Sequence, residues 1–153
     1  MRSVLCGLAL LLLAACGGVD PERALPRIES GWIRLPPPGQ STTAGYLEFV
    51  NGSEQTVTVV GAASPAFGAI EIHETVQSEG QMRMRRLGEL SVAPGERLSL
   101  APGGKHLMLF RPVEPLAEHQ EVAISLALRS ASGEVLSADA RLHVQREADG
   151  HRH

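Results

Sequence analysis

Apolar residues fall in short runs along this chain, broken roughly every ten residues by clusters of Gly, Pro, Asn and Ser. Within the runs apolar and polar side chains tend to alternate, which is the period of a strand with one face buried. The pattern predicts strands over 28–35, 44–51, 56–62, 69–75, 81–87, 97–100, 106–110, 121–129 and 135–144. Between them stand Pro36-Pro37-Pro38-Gly39, Asn51-Gly52, Glu79-Gly80, Pro94-Gly95, Pro102-Gly103-Gly104 and Ser132-Gly133, all residues that favour turns for known stereochemical reasons. No stretch keeps a helical period over three turns, and no repeat recurs at a fixed interval. The expectation is an all-β sandwich.

The two ends depart from this pattern. Arg2 followed by an apolar stretch through Leu13 reads as an export signal, since a dozen apolar residues fall short of the about 20 needed to span a bilayer. Leu13-Ala14-Ala15-Cys16 matches a lipobox, which would make an acylated Cys16 the mature N-terminus and tether the protein to a membrane. The expected organisation is a signal over 1–15, a lipidated N-terminus and linker over 16–26, a β-sandwich domain over 27–144 and a mobile tail over 145–153. This places the protein in the periplasm or cell envelope.

Composition narrows the possibilities. Cys6 falls in the removed signal, leaving Cys16 alone, so the domain must be held by its core and not by disulfides. Loss of Arg2 takes the formal charge from −3 to −4, and no basic stripe is evident, which argues against nucleic acid as a partner. One Trp, one Tyr and three Phe provide no evident stacking platform. No nucleophile motif, phosphate loop or paired carboxylates stand out, so the chain is not expected to be an enzyme.

The candidate chemistry lies between Ile70 and Phe110. Alternation sets Ile70 and Ile72 on one face and Glu71 and His73 on the other. Met82 and Met84 share a side, as do His106 and Met108, and the first of these pairs suggests a half-buried strand. Apart from Met1, every methionine lies in this window. His73, then Met84 after ten residues, then His106-x-Met108 after twenty-one more, offer two imidazoles and two thioethers. Thioethers select Cu(I), and imidazole also suits copper. The absence of a thiolate argues against a blue-copper electron carrier and favours a site that gives up its ion. Met82 is read as a hydrophobic neighbour, and Glu71 as a carboxylate that could orient His73. His119 and His143 are read as surface residues, whereas the tail pair His151 and His153 could form an auxiliary Cu(II) site.

The spacing H-x10-M-x21-H-x-M, met by His73, Met84, His106 and Met108, resembles that of the periplasmic PCu(A)C copper chaperones. The resemblance extends through Ile72-His73-Glu74-Thr75, Met82-Arg83-Met84-Arg85, Val92-Ala93-Pro94-Gly95-Glu96 and Pro102-Gly103-Gly104-Lys105. It implies a cupredoxin-like Greek-key β-sandwich with an exposed Cu(I) site. It also implies delivery of copper to a membrane recipient, the dinuclear copper centre of cytochrome c oxidase or an assembly factor serving it. The competing reading is an envelope scaffold or adhesion lipoprotein whose methionines merely fill the core.

Overall fold

The computed structural model describes residues 24–78 and 80–146, which form ten strands. The signal segment, Cys16, His151 and His153 lie outside the described residues. The strands are β1 (Pro26–Arg34), β2 (Thr42–Asn51), β3 (Val57–Ala63), β4 (Phe67–Ser78), β5 (Gln81–Arg86), β6 (Leu90–Val92), β7 (Arg97–Leu100), β8 (Lys105–Pro112), β9 (Glu121–Ser130) and β10 (Val135–Gln145). Nine correspond to the runs read from alternation. The tenth, β6, has only three residues and carries no period to detect. Pro26 and Gln145, expected in linker and tail, belong to β1 and β10.

Hydrogen bonding is continuous in the order β5-β4-β8-β2-β1-β10-β9-β3-β6, with β7 paired to β2. β1 joins the two halves, running antiparallel to β2 and parallel to β10. The halves bury one common core. Leu47, Phe49, Ile72, Leu107 and Leu109 come from one half, and Val57, Val59, Ile124, Leu126, Leu128 and Leu142 from the other. Each such side chain, once fully buried, contributes about 1.5–3 kcal/mol relative to exposure. Among the described residues, no buried side-chain polar atom lacks a hydrogen-bond partner, as a well-formed interior requires.

Turn chemistry follows the sequence at five of the six expected breaks, where Gly39, Gly80, Gly95, Gly103 and Gly133 take positive φ. The exception is Asn51-Gly52. There Asn51 is the fully buried last residue of β2.

Candidate metal centre

β4 and β8 pair antiparallel, with His73 opposite His106, Glu71 opposite Met108 and Ile72 opposite Leu107. Directly opposed residues share a face. Ile72 and Leu107 therefore enter the core together, and the intervening His73, His106, Glu71 and Met108 emerge on the outer face. On the other side of β4, strand β5 sets Met84 opposite Thr75 and Arg86 opposite His73. His73 is thus the centre of the constellation. His106 lies directly across from it, and Met84 and Met108 lie on diagonals to either side, at a separation of about 7–8 Å that long side chains can bridge. All four predicted ligands share one face.

The four donors differ in depth. His106 is buried at 5% exposure, His73 and Met108 are half-buried, and Met84 is 61% exposed. The ring centroids of His73 and His106 are 6.2 Å apart. A recess of about 310 Å3 beside them is lined by Met84, His106 and Met108 together with Thr42, Tyr46 and Thr75. β5 is not half-buried as expected: all six of its residues are exposed. Among the described residues it pairs with β4 alone, so it is an edge strand with its outer face uncovered by them.

Hydrogen bonds fix both imidazoles. Nδ1 of His106 lies 3.0 Å from the carbonyl oxygen of Gly104. A carbonyl can only accept, so Nδ1 carries the proton and Nε2 keeps a free lone pair. The Pro102-Gly103-Gly104 turn supplies that acceptor, its Gly103 at φ 80°, and the same carbonyl accepts the Thr75 amide at 3.1 Å. For His73 it is Nε2 that donates, to Oε2 of Glu71 at 2.8 Å. That hydrogen bond, reinforced by the nearby Arg86 guanidinium, holds the Glu71 carboxyl below its ordinary range despite partial desolvation. Glu71 is therefore an ionised acceptor, and Nδ1 of His73 is left free. Each ring has one nitrogen tied down and one available, the usual outer-shell arrangement for a metal-ligating histidine.

The charge of Glu71 is matched within the protein, because Arg86 Nη1 stands 3.1 Å from its Oε1. What remains to face an ion is a set of two imidazoles and two thioethers. Among the described residues, no group of three or more His, Cys, Asp or Glu is placed to hold a metal. Any ion here must accept sulfur from methionine, which disfavours zinc and suits Cu(I).

Arg86 was not singled out from sequence, although alternation through 82, 84 and 86 places it on the methionine face. Nor was the aromatic pair beside the site. Trp32 and Tyr46, the sole Trp and Tyr, have ring centroids 4.6 Å apart, with the Arg34 guanidinium 5.8 Å from the Tyr46 centroid. Only the β2–β8 register, which sets Ala44 opposite Met108, brings Tyr46 to this edge. Met82 shares the face of Met84 and is 64% exposed. His119 lies in a turn with φ 67°. His143 is exposed on β10, 3.7 Å from Glu121.

Residues 27–140 match the family model described as "Putative lipoprotein LpqE-like". "Putative lipoprotein Lxx21020" of Leifsonia xyli subsp. xyli is 30% identical over 84% of this chain and 76% of its own length. Among solved structures, the solution structure of CuI-DR1885 from Deinococcus radiodurans is 27% identical, with a TM-score of 0.59 and 83% of each chain covered. The copper-bound PCuAC domain from PmoF2 is 21% identical, with a TM-score of 0.58 over 76% of this chain and 91% of that domain. The fold is thus the cupredoxin-like Greek-key β-sandwich of PCuAC domains, as the resemblance implied.

Proposed function

The chain belongs to the LpqE-like family, and we propose that it is an envelope-anchored metallochaperone carrying one Cu(I) on His73, Met84, His106 and Met108. The observation that carries this reading is the projection of all four residues from one outer face, with one nitrogen of each imidazole tied to an acceptor and the other free. The Cu(I) form of the Deinococcus relative supports the choice of ion. Acylation at Cys16 would hold the carrier at a membrane, within reach of a membrane-bound recipient.

Copper is cargo in this scheme and leaves by ligand exchange. His106 is buried and rigidly hydrogen-bonded, so it anchors the ion. Met84 sits on the exposed edge strand and can be displaced by an incoming donor at little structural cost. Release of Cu(I) from thioether and imidazole needs no electron, and no proton has to leave a ligand first. The dinuclear copper centre of cytochrome c oxidase, or an assembly factor serving it, is the recipient that the PCu(A)C resemblance implies. His151 and His153 would add an auxiliary Cu(II) site at the tail. The protein carries metal and is not proposed to catalyse a reaction.

Anaerobic titration of the mature protein with Cu(I) against a competing chelator tests this reading. One tightly bound equivalent is expected, lost when Met84→Leu and Met108→Leu are combined. Absence of binding, or unchanged binding in the double variant, would leave the scaffold reading in its place.

A further inference from the structure

We propose that Met82 and Met84 together form an outer, transient Cu(I) position through which the ion enters and leaves the four-ligand site. This inference rests on the copper-carrier reading above and extends it to the path of the ion.

Its starting point is the exposure of two large apolar side chains side by side. Met82 is 64% and Met84 61% exposed, on alternate positions of one face of β5. Neither belongs to the hydrophobic core, so the ordinary reason for methionine in a strand, filling space, does not apply. The rest of the strand is polar: Gln81, Arg83, Arg85 and Arg86, the composition that protects an edge from pairing with other chains. Polar residues at 82 and 84 would be less costly to expose, and Lys or Glu would protect the edge better. Sulfur is what methionine adds.

The geometry allows the two sulfurs to meet one ion. Residues two apart on a strand are separated by about 6.6 Å, and each methionine side chain has three rotatable bonds with which to close that gap. Across β4, Met82 faces Gln77 and Met84 faces Thr75, both uncharged, and Arg86, the charged residue on this face of β5, is paired with Glu71. Soft thioethers are sufficient for Cu(I).

Transfer then proceeds by a stepwise exchange. The Met84–copper bond is retained while Met82 Sδ bonds to the ion, and the bonds to the two imidazole nitrogens and to Met108 Sδ break in turn, which leaves Cu(I) two-coordinate between the thioethers of Met82 and Met84. The ion stays Cu(I), and neither electron nor proton moves, since a thioether binds without deprotonation. From this outer position, further from the buried His106, an incoming ligand can reach copper from solvent. Met84 belongs to both positions, and Met82 only to the outer one.

Met82→Leu separates this role from others because it preserves size and apolar character at an exposed site and removes only sulfur. Two quantities are measured anaerobically on the mature protein: equilibrium Cu(I) affinity by chelator competition, and the stopped-flow rate of Cu(I) transfer to an excess of a chromogenic chelator. The expectation is an affinity within about twofold of wild type and a transfer about tenfold slower. In methionine 13C-methyl spectra, the Met82 resonance is expected to broaden at less than one equivalent of Cu(I). Wild-type transfer rates in Met82→Leu, or a Met82 methyl indifferent to copper, would overturn the outer position. So would an affinity loss as large as that of Met84→Leu, since Met82 would then be a resident ligand. Failure of wild type itself to bind Cu(I) is a different result and would sink the carrier reading instead.

Discussion

Glu71 stands between His73 and Arg86, accepting from the imidazole at 2.8 Å and pairing with the guanidinium at 3.1 Å. Its contribution is to set which nitrogen of His73 is free. Glu71→Gln keeps the size but removes the ionised acceptor, so the ring is held in its orientation and tautomer less firmly. Outer-shell substitutions of this kind typically cost about 10–100-fold in metal affinity, and Glu71→Gln is expected at the lower end, because Gln can still accept through its amide oxygen. Chelator competition measures it, and thermal unfolding of the metal-free protein should barely change, as the carboxylate lies on the outer face. An unaltered affinity would mean that His73 does not need Glu71 for its orientation. Alternation alone was enough to set His73 and Glu71 on the face away from Ile72. It could not reveal which carboxylate oxygen meets which nitrogen, because that depends on rotamers and on Arg86 arriving from another strand.

Strand identities were mostly legible because each run alternates and each turn carries its own residues, but coverage of a face was not. Gln81–Arg86 alternates as a half-buried strand would, yet no described residue packs over it, since its place at the sheet edge is set by the pairing of β4 with β8. Asn51 is the reverse case. Asn51-Gly52 reads as an ordinary turn, but Asn51 Nδ2 donates to the carbonyls of Gln55 at 2.8 Å and Val92 at 2.9 Å, and Oδ1 accepts from the Ser53 amide and hydroxyl. One buried side chain thus ties the end of β2 to the short β6, a strand too brief to be recognised from its own pattern. Asn51→Ala leaves the Val92 carbonyl, the acceptor of a buried hydrogen bond, without its donor and is expected to lower stability by about 1–3 kcal/mol. Urea unfolding of the metal-free protein would read this as a lower midpoint at unchanged slope. A change below a few tenths of a kcal/mol would show that water replaces the amide fully.

At the scale of the whole molecule, β1 pairs with both half-sandwiches, so an ion held as proposed by β4, β5 and β8 is expected to stabilise strands it never touches. Cu(I) bound to the folded state alone raises unfolding free energy by about 2.7 kcal/mol at a hundredfold excess over Kd. A single melting transition moving upward on loading is expected, whereas two separated transitions would show the halves to be uncoupled. Acid should act on the same unit through exposed ion pairs. Glu29 on β1 accepts from Arg97 on β7 and from Arg27, and Glu74 on β4 pairs with Arg85 and Lys105. Hydrogen bonds from Arg97 and Arg27 hold the Glu29 carboxyl below its ordinary range, and the bond from Arg85 does the same for Glu74. A carboxyl whose folded value lies below its unfolded one binds fewer protons folded than unfolded. Its stabilisation is complete above the unfolded value of about 4.3 and is lost as pH falls through the folded value. Melting temperature is therefore expected to hold from neutral pH down to about 5 as far as these groups decide it, and to fall below about 4. Salt should narrow the fall, because the pairs are open to solvent and screened. Circular-dichroism melts of Glu29→Gln should show a smaller drop between neutral and acid pH than wild type. An equal drop in the variant would remove the β1–β7 pairing from the causes of acid sensitivity.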